Sequence, residues 1–312
     1  MLVGTWNLEN LYRPGGLFGP RDQTAYETKL ASLAAVITEL DPDLLGLQEI
    51  GEPVALTDLV GMLDGEWHTA VSTHPDSRGI RVGFLSRTPL RLLADTTALP
   101  DILRPVQIDD AGQTTEAAGR GLLAVETEGV SAAVAHLKSK LLSYPVNRFH
   151  PHDEGERARY GVYALHRRAG EAAALRALAD TLLAGDGRER DVVVLGDLND
   201  EVQAATTQIL LGPPGSEIGT PGFDRADGGD AARLWNVAPL IPAEQRYSRI
   251  NFGRRELIDH VLISHRVVRR IEAAGTGLPA ETAPRLPSVD ENPAVRRNAA
   301  GSDHAPVWVR FG

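Results

Sequence analysis

Apolar runs of strand length, each stopped by a residue that can ligate a metal or move a proton, recur along this chain and leave few folds open to it. Leu2-Val3-Gly4-Thr5-Trp6 ends in Asn7, Leu44-Leu45-Gly46-Leu47-Gln48 in Glu49, and Ala132-Ala133-Val134-Ala135 in His136. Val192-Val193-Val194-Leu195-Gly196 runs into Asp197-Leu198-Asn199, Leu257-Ile258 leads to Asp259 before Val261-Leu262-Ile263, and Ser302-Asp303-His304 precedes the final apolar run. Such short runs read as buried strands. Between them, Ala25 to Leu40 places Leu30, Leu33, Ile37 and Leu40 at helical spacing until Asp41-Pro42-Asp43 stops it, and a short helix is expected from Leu56 to Leu63. Glu154 to Ala184 reads as one long or broken helix, with Leu175, Leu178 and Leu182 inward and Gly161 and Gly170 as weak points. Asp109 to Gly119, the Gly/Pro-rich stretch 212–230 and the proline-bearing arm 275–301 read as irregular. Alternating strands and helices of this kind predict an α/β sandwich of two mixed β-sheets with helices on both outer faces.

The stopping residues carry the chemistry. Magnesium takes one or two carboxylates together with waters and substrate oxygens, and Asn7 and Glu49 would each deliver one oxygen ligand from a strand end. Asp197 and Asn199 lie two residues apart, face one side of an extended segment, and can together hold a water and a phosphoryl oxygen. His136, Asp259 and His304 bring imidazole and carboxylate to what the strand ends make one rim. Taken singly, most of these residues have a structural reading: Asn7 as a turn residue, His136 as a satisfied histidine, Asp200 as the N-cap of a helix from Glu201 to Leu211, and Ser302-Asp303-His304 as an Asx-type turn. Glu49 is harder to dismiss, because a carboxylate on a buried strand needs a partner. It is their joint occurrence that points to metal-dependent phosphoester hydrolysis.

With 312 residues, 42% of them hydrophobic, the chain can bury a sizeable core, and one domain over residues 1–312 is expected. The absence of cysteine excludes disulfides and thiolate metal sites and suits a reducing cytoplasm. Met1 leads straight into the first strand, without a basic and then apolar leader, and no run approaches the length of a membrane span, so a cytoplasmic location is expected. No feature suggests a protein partner.

A net charge of −10 is awkward for a ligand of polyanions, so the distribution of charge decides. From His136 to Gly170 there are seven Lys or Arg against three acids, and Arg246, Arg249, Arg254 and Arg255 precede Asp259. Lys138 and Lys140, on the strand face of His136, and Arg254 and Arg255 are the expected phosphate contacts. Tyr144, Phe149, Tyr160, Tyr247 and Phe252 are the rings available for stacking on bases.

From Thr5-Trp6-Asn7-Leu8-Glu9-Asn10, through Leu47-Gln48-Glu49, His136-Leu137-Lys138 and Gly196-Asp197-Leu198-Asn199, to Gly301-Ser302-Asp303-His304, the sequence resembles the endonuclease/exonuclease/phosphatase superfamily. Its members include deoxyribonuclease I, exonuclease III, inositol polyphosphate 5-phosphatases and bacterial sphingomyelinases, and the chain looks most like nuclease-like bacterial members. The resemblance implies a four-layer α/β sandwich and a catalytic Mg2+, replaceable by Mn2+, held by Asn7, Glu49 and Asp303. It implies that Asp197 orients or deprotonates the attacking water and Asn199 touches the phosphate. It further implies that Asp259 holds His304, which stabilises the phosphorane, and that His136 donates to phosphate oxygens. One departure follows: deoxyribonuclease-like members pair that second histidine with a Glu from the strand that here reads Gly79 to Arg87, and this stretch contains no acid. DNA or RNA is the substrate expected first, and a small-molecule or lipid-headgroup phosphodiester or phosphomonoester the alternative. A catalytically silent binding module would have lost a ligand or a histidine, and none is missing.

Overall fold

The computed structural model describes every residue except Phe149, Ser216, Pro221, Gly222, Asp224, Glu291 and Asn292. Phe149, expected among the stacking rings, therefore lies outside the described residues. In chain order the elements are β1 (Leu2–Leu11), α1 (Gln23–Leu40), β2 (Leu44–Ile50), α2 (Pro53–Val60), β3 (His68–Val71), β4 (Arg81–Ser86), β5 (Arg91–Ala98), β6 (Val106–Gln107), β7 (Thr114–Thr115), β8 (Ala117–Thr127), β9 (Val130–His136) and α3 (Glu154–Leu183). There follow β10 (Asp191–Asp197), α4 (Ala205–Leu211), β11 (Trp235–Asn236), β12 (Arg249–Asn251), β13 (Arg254–Glu256), β14 (Asp259–Ile263), α5 (His265–Val268), β15 (Ile271–Thr276), β16 (Ser288–Val289) and β17 (Val307–Phe311).

Two six-stranded mixed sheets result, ordered β15-β17-β1-β2-β4-β3 and β11-β14-β10-β9-β8-β5. Each is built around a parallel pair, β1 with β2 and β9 with β10, flanked by antiparallel neighbours. Strand alternation sorts the side chains into layers. Val193 and Leu195 enter the core between the sheets with Val3, Leu44, Val134 and Phe84, whereas Val192 and Val194 face Leu175, Leu178 and Leu182 of α3. On the other outer face, Leu30, Leu33 and Ile37 of α1 and Leu56 of α2 cover Leu45, Leu47 and Trp308. This is the expected sandwich. Gly46 lets the sheets approach closely: a Cβ there would stand 2.1 Å from Leu195 Cδ1.

Three local expectations are corrected. The stretch from Asp109 to Gly119 is not all loop, since β7 pairs with β6 and β8 begins at Ala117. Helix α3 runs unbroken through Gly161 and Gly170, because burial of Leu175, Leu178 and Leu182 outweighs the low helix propensity of glycine. Asp200 caps no helix: α4 starts five residues later, and the carboxylate instead accepts from Arg168 Nε (3.0 Å) and Thr206 Oγ1 (2.7 Å) and pairs with Lys140 Nζ (3.2 Å).

Candidate active site

The parallel pairs end at the same rim, and their registers line up the chemistry. Asp197, last residue of β10, is paired with His136 of β9 on one side and with Asp259 of β14 on the other. Gly196 permits that arrangement: its φ of 142° and a virtual Cβ 2.0 Å from Ala135 O exclude a side chain immediately before the aspartate. In the opposing sheet the ladders of β1 and β2 slip near Asn7 and Glu49, the kind of irregularity that re-aims side chains beside functional sites. Glu9, Asn10, Glu49 and Asn199 all take left-handed backbone conformations, with φ of 51°, 58°, 61° and 54°. Such conformations cost energy in residues other than glycine and persist where the surrounding fold dictates them.

A cleft between the sheet ends is lined by Asn7, Glu49, His136, Asp197, Asn199, Asp303 and His304. Asn7 Nδ2 donates to Asp197 Oδ2 (2.9 Å), and His136 Nε2 stands 3.4 Å from the same oxygen. Asn199 is fixed through its backbone N–H on Asp197 Oδ1 and its Nδ2 on Leu137 O, both at 2.9 Å. Asp259 lies fully buried behind the cleft, 2.7 Å from His304 Nδ1. The loop carrying His304 is held by Ser302 Oγ donating to Asn7 O (2.6 Å) and by Trp6 Nε1 donating to His304 O (2.8 Å). Glu49 accepts from Asn10 N at 2.8 Å. His260 turns the other way, with Nε2 2.8 Å from Asp200 O, and has a structural part.

Electrostatics divide the two histidines. Burial opposes a charge on His304, but the carboxylates of Asp259, Asp303 and Asp197 prevail and raise its pKa to about 10, so it is cationic at neutral pH. His136 is held well below the ordinary histidine range by burial and by Arg120 and Arg78, and is neutral. Burial and the charge of Asp259 raise Asp197 to about 7, within reach of a proton-accepting role.

Three of the four expected cations do not meet the cleft. The strand ends at His136, so alternation stops carrying Lys138 to the same face; its Nζ bonds Ser139 O (3.0 Å) and Leu141 O (2.7 Å), and burial with nearby Arg167 lowers it to about 8. Lys140 does line the cleft. Arg255 stacks 4.4 Å over Tyr247, and Arg254 lies 3.6 Å from Glu201, both on the outside of a β12–β13 hairpin. Tyr144, Tyr160 and Tyr247 are buried, which leaves Phe252, 72% exposed at the hairpin tip, as the exposed ring among those expected to stack that the structure describes.

Sequence reasoning missed Arg78, Arg120 and Arg296, which also line the cleft together with Arg249 of the expected basic cluster. Arg120 Nη2 pairs with Asp76 (2.9 Å), and its Nη1 reaches His136 O at 3.4 Å. The chain thus sets arginines beside the second histidine, where the resemblance led one to look for an acid. The only sequence sign was the placement of Arg120 at the mouth of the apolar run of β8.

One group of carboxylates and imidazole compact enough to share an ion is found among the described residues: Asp197, Asp259 and His304, whose ligating atoms lie within 4.8 Å of one another. The 2.7 Å Asp259–His304 bond already engages two of its members, so proton handling explains this group better than ligation. The oxygen donors of Asn7, Glu49 and Asp303 fit a hard dication, and the neighbouring Asn10 Oδ1 is a buried oxygen without a hydrogen-bond partner among the described residues.

Fold and cleft define a phosphoester hydrolase. The chain matches the endonuclease/exonuclease/phosphatase family over residues 4–304 and belongs to it. Its fold is that of a 3'-5' exonuclease from Neisseria meningitidis (TM-score 0.56, 17% identity, 100% of this chain and 99% of that one). It is likewise similar to a mannosyl-6-phosphatase from Bacteroides thetaiotaomicron (0.55, 14%, 100% and 99%) and an AP endonuclease from Archaeoglobus fulgidus (0.53, 13%, 100% and 99%). No curated protein sequence matches the chain. No helix among the described residues is long and apolar enough to cross a membrane.

Proposed function

We propose that this protein is a Mg2+-dependent nuclease that hydrolyses phosphodiester bonds of DNA or RNA, with Mn2+ as a substitute ion. The observation that carries the reading is the row His136, Asp197, Asp259 with His304 against it: a proton acceptor of pKa about 7 beside a cation of pKa about 10 in one cleft. Asp197, aimed by Asn7 and the backbone of Asn199, holds the attacking water and takes its proton. His304, kept charged by Asp259, faces the negative charge that develops on the phosphoryl oxygens. Neutral His136 orients a phosphate oxygen without acting as an acid, and Arg120 supplies the fixed charge at its side. Asn7, Glu49 and Asp303 would hold the ion. When bound, it polarises the phosphoryl group and offsets charge on the leaving oxygen.

A compact phosphoester is the second reading. It is favoured by the inward placement of Arg78, Arg120 and Arg249, against the outward placement of Arg254 and Arg255. Similar structures of both kinds exist: one is a 3' phosphatase bound to product DNA hairpin, another a mannosyl-6-phosphatase. The cytoplasm is the proposed setting, in keeping with a chain free of cysteine. The discriminating experiment sets circular plasmid, single-stranded DNA, RNA and bis-p-nitrophenyl phosphate side by side, with Mg2+, Mn2+ or chelator. Metal-dependent nicking of the circle supports the nuclease, and turnover of the small diester alone overturns it in favour of the second reading.

A further inference from the structure

We propose that Arg296 and Lys29 are built-in cations that restrict the metal end of the cleft to a single divalent ion, held on the Glu49 side. This rests on the metal-dependent reading above and goes beyond it by fixing the number of ions and the residues that set it.

Glu9 from β1, Glu49 from β2 and Asp303 before β17 are the cleft carboxylates that act on Lys29; Glu256 and Asp290 line the cleft as well. Phosphoesterases that use two ions hold them roughly 3.5–4 Å apart, one toward the attacking and one toward the leaving oxygen, and need carboxylates for both. Here Glu9 is already taken. Arg296, from the irregular arm ahead of β17, donates Nε to Glu9 Oε1 (2.5 Å) and Nη2 to Oε2 (2.7 Å). This two-pronged contact is the strongest geometry between these groups, and it leaves a dication at Glu9 facing a guanidinium it must displace. Lys29 of α1 adds a second fixed charge behind it. The residue is 3% exposed, its one hydrogen bond among the described residues is the 3.4 Å contact of Nζ with Gly301 O, and burial lowers its pKa against the opposing pull of Glu9, Asp303 and Glu49. A buried ammonium is tolerated only with such compensation.

Asp303 is less committed, because Arg249 Nε stands 3.7 Å from Oδ2, beyond hydrogen-bond range. Glu49 has no cationic partner among the described residues and accepts only from Asn10 N (2.8 Å). Of the three, Glu49 is therefore the carboxylate held in no ion pair among the described residues, and an ion there shares the cleft with Asp303 and Asn7. The place of a second ion is filled by protein.

Calorimetric titration of the full chain with Mn2+, paired with the electron paramagnetic resonance spectrum of the loaded protein, tests this directly. One ion per chain and no spin–spin broadening are expected. Arg296→Gln should admit a second Mn2+ and introduce the broadening, whereas Arg296→Lys should stay at one. Two ions of similar affinity in the native protein, or one ion in a folded Arg296→Gln, would overturn the inference. Should Arg296→Gln not fold, Lys29→Met carries the test: its single ion should bind at least tenfold tighter, and unchanged affinity counts against the proposal. A native protein that binds no Mn2+ at all refutes the metal-dependent reading itself, an outcome separate from the count.

Discussion

Asp259 does not itself line the cleft, yet it decides the charge of His304. Because a carboxylate partner raises the histidine above its ordinary value, His304 is protonated below about pH 10 and loses its charge above it. Asp197 is ionised only above about 7. A pH profile of kcat/KM should therefore rise through pH 7, hold a plateau, and fall near pH 10. Asp259→Asn removes the raising charge and should bring the alkaline limb down by at least one pH unit; an unmoved limb would assign it to another group. Asp197→Asn should cut kcat by about a hundredfold or more while metal affinity and folding persist. Loss of ion binding in that variant would instead make Asp197 a ligand. Glu49→Gln should raise the metal concentration for half-maximal rate, and an unchanged requirement would refute its ligation.

The β12–β13 hairpin and the strand β2 make separate demands. On the hairpin, Arg254 and Arg255 face outward, so their joint change to glutamate should weaken binding of long polyanions and flatten its salt dependence. Turnover of a small diester should be untouched, since neither guanidinium reaches the cleft; equal loss on both substrates would put them inside it. In β2, Gly46 holds the space into which Leu195 packs, and Gly46→Ala forces the sheets apart there. A loss of about 1–3 kcal/mol in denaturant unfolding is expected, with the catalytic residues still able to bind metal in the folded fraction. No loss would mean that Leu195 moves aside freely.

Across the whole molecule, both sheets end their central parallel pairs at one rim, and that is why separated motifs meet. Apolar runs and their terminating residues are local, so strands, helices and the positions of Asn7, Glu49, His136, Asp197, Asp259, Asp303 and His304 at strand ends or just beyond them were legible in the sequence. Side-chain direction past the last ladder residue is not local. Alternation implied that Lys138 shares the face of His136, but the strand stops there and its ammonium turns to carbonyls of its own loop. Asp200 had the look of a cap until Arg168 and Lys140, distant in sequence, drew it into ion pairs. The arginines of the cleft, and the clamp of Arg296 on Glu9 across 287 positions, carry no periodic signal at all. Hydrophobic pattern and chain stiffness, which act between neighbours, determined the sandwich and the rim from the sequence alone. Which charges face one another in the cleft was decided only by tertiary packing, because Coulombic pairing depends on distance in space and on burial, and neither is written in the order of residues.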